Sequence, residues 1–285
     1  VVNLLSTPQF IAFDQVIGVI YIKMKIVILR FCAVAVIVFS AMGSLKAQQY
    51  ANVKDSIVFA PMIIPTGGFH FALGDVNQTY KFTYHVGAEI LIKNRKNWLF
   101  GASGEFMFGE NVGIPGFVQN IYPVYGQSGT TPGVSLGMRG FNFMAIGGKI
   151  VPLGKKPNRN SGLIFKFGAG FIQHQVLMEF RGDNVPQVNG DYKKGYDRMH
   201  NGFAMSQFIG YIYMGNNRTL NFFGGVEIIE GFTRNRRMYN YDTESYDLRD
   251  KYDIFIGLKV GYIFPLYKKG AGATNRSKEK EYFYK

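Results

Sequence analysis

The chain has 285 residues, with 32 Lys and Arg against 19 Asp and Glu, 35 Gly, 26 Phe, 18 Tyr and a single Trp. One cysteine, Cys32, excludes an internal disulfide and a thiolate metal site. Only residues 26–45 are apolar enough over a sufficient length to cross a bilayer as a helix, so the chain is not a helical membrane protein.

Residues 1–23 read as an extension ahead of a start at Met24. Residues 24–47 have the order of a signal peptide. Lys25 and Arg30 supply the positive start, 31–42 the apolar run, and Ala47 the small residue before a cut at Gln48. Cys32 lies inside that apolar run, too early for a lipidated cysteine. The expected body of the protein is then 48–266, followed by a basic tail, 267–285.

From residue 56 onward, apolar side chains alternate with small or polar ones in eight segments. A period of two places successive side chains on opposite faces of a strand. Strands are expected over 56–73, 80–93, 97–109, 139–153, 161–180, 203–214, 218–231 and 251–266. In the last of these, Ile254, Ile256, Leu258, Val260, Tyr262 and Phe264 share one face, and Gly257, Lys259 and Gly261 share the other. A greasy face opposite a lysine is the reverse of a soluble barrel and fits a strand between lipid and a polar lumen.

The connections alternate as well. Those at 93–97, 154–161 and 215–218 are short, those at 110–138, 181–202 and 232–250 are long, and the one at 74–79 is modest. Short turns at one end and long loops at the other, with an even strand number, are the layout of outer-membrane barrels. The expected fold is therefore all-β: an eight-stranded antiparallel up-and-down transmembrane barrel in the bacterial outer membrane.

Charge supports that layout. Residues 48–285 carry a net charge of +10. The short turns hold Lys93, Arg95, Lys96, Lys155, Lys156, Arg159 and Arg218 with no acid, and the tail adds six bases and two acids. The excess lies at the periplasmic end rather than in the basic patch that a nucleic-acid binder presents. It suits contact with anionic headgroups or a periplasmic partner, with a solvated charge cluster as the default expectation.

Parity also assigns the lumen. His85 and Glu89 point in from the second strand, Ser103 and Glu105 from the third, Lys166 from the fifth, Asn221 and Glu227 from the seventh, and Lys259 from the eighth. Lys149 and Gln207 are assigned inward by the same rule. Glu89, Glu105 and Glu227 would then face Lys149, Lys166 and Lys259. An eight-stranded barrel is just wide enough for side chains to fill it, and buried charges persist only when paired. The expected interior is a self-neutralising plug, with a narrow pore gated by the same pairs as the alternative.

Catalysis finds little support. His174, His200, Asp191 and Asp197 are candidates for an outer rim, but their spacing matches no catalytic motif. His85 and Glu89, four apart on a strand, are separated by roughly 13 Å and form no ligand pair. No phosphate loop, zinc spacing or dinucleotide fingerprint is present. The expectation is a non-enzyme without cofactor or metal. Its partners would be outer-membrane lipids, the insertion machinery and a periplasmic or surface protein, the last bound through residues 181–202 or the basic tail as the leading function.

The closing strand carries an assembly signal. Lys259, Gly261, Phe264 and Leu266 follow the polar, glycine, apolar, apolar spacing of terminal strands read by the insertion machinery. Several stretches also resemble an outer-membrane β-barrel family of Bacteroidota-type bacteria. They are Asn97-Trp98-Leu99-Phe100-Gly101-Ala102, Arg139-Gly140-Phe141-Asn142-Phe143, Asn160-Ser161-Gly162-Leu163, 190–198, 201–204, the closing strand and the terminal Glu281-Tyr282-Phe283-Tyr284. The resemblance implies fold and location for residues 55–285. It brings no catalytic residue, and the similarity of such barrels to secretion accessories keeps a partner-binding role in view.

Overall fold

The computed structural model describes residues 57–110, 112–114, 117, 133–153, 158–181, 190–215 and 220–266. The signal-peptide reading, Cys32, Lys155, Lys156, Arg218, the basic tail and parts of two long loops lie outside the described residues.

Eight long strands form a closed antiparallel barrel in simple sequence order. They are β1 (Ala60–Gly74), β2 (Phe82–Lys93), β3 (Trp98–Gly109), β4 (Gly133–Val151), β5 (Gly162–Arg181), β6 (His200–Met214), β7 (Asn221–Asn235) and, after the short hairpin β8 (Tyr239–Asn240) and β9 (Ser245–Tyr246), β10 (Asp250–Tyr262). Each pairs with the next, and β10 closes the barrel onto β1 from Thr66↔Gly261 to Gly74↔Asp253. A two-residue extension, β11 (Phe264–Pro265), pairs with Met62 and Ile63. The seam is interrupted between these two pairings. Pro65 has no N–H for the ladder there, and the amide of Ile263 donates instead to Asn221 O on the other side, at 2.9 Å.

The strands differ from the sequence expectation chiefly at the loop end. β4 begins six residues earlier than expected, and β7 is displaced to Asn221–Asn235. Loop-end strand segments stand above the bilayer, where water faces both sides and apolar alternation fades. Turn chemistry is local and legible. Asn94 Oδ1 accepts from the amides of Lys96 (2.8 Å) and Trp98 (2.9 Å). Asn97 closes the β2–β3 turn in the left-handed region, at φ 62°, a conformation asparagine tolerates.

The two faces are those of a membrane barrel. Exposed residues include Phe143 (60%), Ile90 (63%) and Phe167 (66%). Aromatic rings gather in two belts. Near the loops, Phe69, Phe71, Phe82 and Tyr84 pack ring to ring. Near the turns, Trp98 lies on Phe100, Tyr213 on Phe222 and Tyr262 on Phe264. On β10, Tyr252 and Tyr262 mark both belts. Ten residues at ~3.4 Å rise and a tilt near 40° put these two belts about 25 Å apart in height, the span of a lipid-facing band. The apolar surface is thus turned to lipid and the polar one inward, as in a bacterial outer-membrane barrel.

Candidate functional site: the barrel interior

Inward positions are even on β1, β4, β5 and β6 and odd on β2, β3, β7 and β10. Together they stack three layers along the lumen.

The turn-side layer is mostly apolar. Ile64, Leu91, Ile150, Ile164 and Ile212 are each about 1% exposed, and Phe208 and Phe223 cross edge to face above them at 5.3 Å. At its foot Lys93, expected among solvated turn charges, is buried. Its ammonium donates to Asn160 Oδ1 at 2.8 Å and Val58 O at 3.1 Å. β2 keeps its odd-in parity to its last residue, which swings Lys93 under the barrel floor.

The middle layer gathers most of the charges expected inside. Lys259 Nζ reaches Glu89 Oε1 (2.9 Å), Glu105 Oε1 (2.5 Å) and Glu227 Oε1 (2.9 Å). Lys166 Nζ donates to both oxygens of Glu89, at 2.8 and 2.9 Å, and lies over the rings of Phe208 and Phe223 at 4.3 and 4.0 Å. Asn142 donates to Glu105 Oε2 at 3.1 Å. All are at most 4% exposed. Ser103 and Asn221 also point inward.

Lys149 and Gln207 do not join this layer. Both face outward. Lys149 pairs with Trp98 in register and its ammonium sits 4.8 Å from the Trp98 ring, so the lysine snorkels at the interface. β4 carries Gly147-Gly148 just before it, which erases the alternation that would have shown its parity. On β6 the neighbouring Phe208 takes the lumen because it covers Lys166. The three glutamates therefore face two lysines, not three.

Two imidazoles complete the middle layer, and only one was anticipated there. His70 on β1 stacks on His85 of β2, with centroids 4.3 Å apart and planes at 11°. His70 Nε2 lies 3.4 Å from Glu227 Oε2, and His85 Nδ1 lies 3.6 Å from Glu105 Oε2. Gly68 makes the room: a Cβ there would stand 2.6 Å from His85 Nε2.

The loop-side layer holds the other two histidines of the chain, stacked likewise. His174 lies 5.4 Å from His200 at 13°, and Phe255 separates the two pairs, 6.4 Å from His70 and 6.2 Å from His174. Asp253 Oδ2 contacts His174 Nε2 at 2.9 Å and accepts from Thr233 Oγ1 at 2.5 Å. His200 Nδ1 donates to Arg198 O at 2.7 Å. A small cleft opens here, lined by Asp75, Tyr80, His174, Arg198, His200 and Lys251. His174 and His200 are therefore lumen groups, not rim groups. His174 shares Lys166's parity, which is the signal that places it.

Outer segments cap the cleft. Asp197 accepts two bonds from Arg237, at 2.9 and 2.6 Å, and Arg198 pairs with Asp242. Asp75 accepts from the Tyr252 amide at 2.9 Å and meets Arg249 at 3.5 Å. Lys251 binds Asp247 at 2.9 Å. Burial pushes the Asp247 carboxyl up, but Lys251 and nearby His200 more than offset it and hold it below the usual carboxylate range. Asp197 raises the already high Arg237 guanidinium further. Asp191 stays outside, paired with Lys194 at 2.6 Å. Of the assembly-signal residues, Lys259 and Gly261 face the lumen, while Phe264 and Leu266 lie at the turn-side rim, where the Leu266 amide donates to Pro61 O at 2.7 Å.

No family model matches the chain, and no curated relative does. Similar solved structures include Ail, the attachment invasion locus protein of Yersinia pestis, in complex with the heparin analogue sucrose octasulfate, at 12% identity and TM-score 0.33, covering 72% of this chain and 98% of that one. Neisserial surface protein A is similar at 10% identity and TM-score 0.36, with coverage of 72% and 97%. The outer membrane protein OprG from Pseudomonas aeruginosa is similar at 14% identity and TM-score 0.32, again with coverage of 72% and 97%. The membrane assignment stands on the barrel's own two faces.

Proposed function

We propose that this chain is a plugged outer-membrane barrel that serves as a rigid platform for a partner at the cell surface, and that it is not an enzyme. The observation that carries this reading is the contrast between its two ends. The turn-side lumen is filled by tightly buried apolar side chains, whereas the loop end is built into an ion-paired cap. Tyr192 (65%), Tyr246 (75%) and Leu248 (56%) are exposed on that cap, and exposed aromatic groups on an ordered frame are what interfaces use. Membership of the Bacteroidota-type family, recognition by the insertion machinery through Lys259, Gly261, Phe264 and Leu266, and a periplasmic partner for the basic tail belong to the same proposal.

Conduction is the competing reading, and it requires a route past Ile64, Leu91, Ile150 and Ile164. Planar-bilayer recording of the refolded protein tests it: the plugged reading expects no discrete steps, and reproducible unitary steps would overturn it. The platform itself is tested on cells. Tyr246→Lys with Leu248→Lys should abolish crosslinking of a surface partner captured by the unaltered protein while leaving the barrel folded. Unchanged crosslinking would remove the cap from the interface.

A further inference from the structure

We propose that the central imidazole pair, His70 and His85, together with Glu227, is a binding site for a divalent first-row transition metal of the zinc type, set inside the barrel. Each of the three offers one ligand atom, and these atoms all lie within 4.8 Å of one another. All three residues are buried, at 0%, 1% and 4% exposure. Two imidazoles and one carboxylate are a donor set that suits zinc, nickel, copper or iron rather than calcium or magnesium.

A second observation points to a ligand. Both nitrogens of His70, both nitrogens of His85 and Glu227 Oε2 have no hydrogen-bond partner among the described residues. Leaving such groups unmatched in a dry interior is costly. The nearest acceptors stand too far off or too poorly aligned for a good hydrogen bond: Glu227 Oε2 lies 3.4 Å from His70 Nε2 and Glu105 Oε2 lies 3.6 Å from His85 Nδ1, while Lys259 holds Glu227 by its other oxygen, Oε1. Charge agrees. Three carboxylates, Glu89, Glu105 and Glu227, face two ammonium groups, Lys166 and Lys259, so one carboxylate has no ammonium of its own.

The stacked rings set one requirement. Ligand lone pairs lie in the ring planes, so coordination by both rings turns one imidazole about its Cβ–Cγ bond. The pair His174 and His200 lies above it, next to the outer cleft, and would form the approach from outside.

The test uses the full chain purified from membranes in detergent. Titration with Co2+ or Zn2+ should show one equivalent bound, with Mg2+ not competing, and Co2+ should develop visible d–d bands. His70→Gln, His85→Gln and Glu227→Gln should each weaken binding by at least the roughly 10–100-fold that losing a mere supporting group costs. The double variant His174→Gln with His200→Gln should keep the affinity. Should a central variant fail to fold, Cu2+ electron paramagnetic resonance on that outer double variant decides, since only the central pair then remains to give coupling to two nitrogens. Absence of binding, binding that survives His70→Gln and His85→Gln, loss confined to the outer double variant, or a copper signal without two coupled nitrogens would each overturn the proposal.

Discussion

Lys259 donates to Glu227 Oε1 at 2.9 Å from the strand next door. The same ammonium touches Glu89 and Glu105, which belong to β2 and β3 on the other side of the seam. One lysine thus ties together strands that are not neighbours, across the closing seam of the barrel.

Removing that lysine should be severe. Lys259→Met leaves carboxylates buried against one another, and breaking a buried ion group by one partner costs on the order of 3–5 kcal/mol. Adding Glu227→Gln should recover part of the loss, since coupled neighbours are not additive. Lys149→Met, which removes only an exposed interfacial lysine over Trp98, should cost within about 1 kcal/mol. Urea midpoints in lipid vesicles measure all three. Equal losses for Lys259 and Lys149 would contradict the assignment of the two faces.

The outer face has its own test. Phe167 is exposed and outward, paired in register with Gly147 and Gln207. Phe167→Arg should cost about 2–4 kcal/mol if it lies at mid-membrane, and no second substitution in the lumen should rescue it. The same midpoint assay applies, and tolerance of the arginine would place this face away from lipid.

The alternation that made the fold legible is a consequence of having lipid on one side only. Glu89, Glu105, Lys166, Glu227 and Lys259 could be placed because each sits among outward Phe, Ile or Leu. Lys149 could not, because Gly147 and Gly148 beside it carry no polarity signal and a lysine at a strand end can face either way. His70 was hidden by β1, where Ile63 and Ile64 are both apolar and blur the period. His174 and Asp253 follow the parity of Lys166 and Lys259, but both stand near the loop ends of their strands, where a polar residue reads equally well as solvated rim. No sequence spacing announces His70 beside His85: they are joined only by the hairpin register Gly68↔His85 and His70↔Thr83.

Acid should loosen the cap before the barrel. Asp247 has its folded carboxyl below the ordinary range, held there mainly by Lys251 at 2.9 Å against the opposing push of burial. A depressed carboxylate contributes stability that is present above its unfolded value, about 3.9, and is lost as pH falls through the folded value. The cap should therefore stay closed from neutral pH to about 4 and open below that. Asp247→Asn should remove this component at neutral pH and flatten the acid transition. Hydrogen exchange of residues 236–249 across the pH range measures it. An acid transition unchanged in Asp247→Asn would place the switch elsewhere.

Two glycines separate close packing from mere flexibility. At Gly68 an added Cβ would stand 1.9 Å from Leu258 O and 2.6 Å from His85 Nε2. The first of these is backbone on the partner strand of the seam, which cannot turn aside as a side chain could. The seam is already short of a ladder bond at Pro65, so it has little pairing to spare. Gly68→Ala should accordingly cost 1–3 kcal/mol or somewhat more, roughly the range for overpacking a filled interior, and should disturb the stacked imidazoles. At Gly147, on the outward face of β4, an added Cβ would meet nothing within 4 Å. Gly147→Ala should be neutral or stabilising by up to about 1 kcal/mol, because it restricts the unfolded chain without straining the folded one. The two substitutions are chemically identical, so any general effect of losing a glycine cancels between them. Unfolding midpoints in vesicles, together with the histidine ring signals of the folded barrel, report the comparison. Equal midpoints would mean that the β1–β10 seam is not packed as closely as its geometry requires.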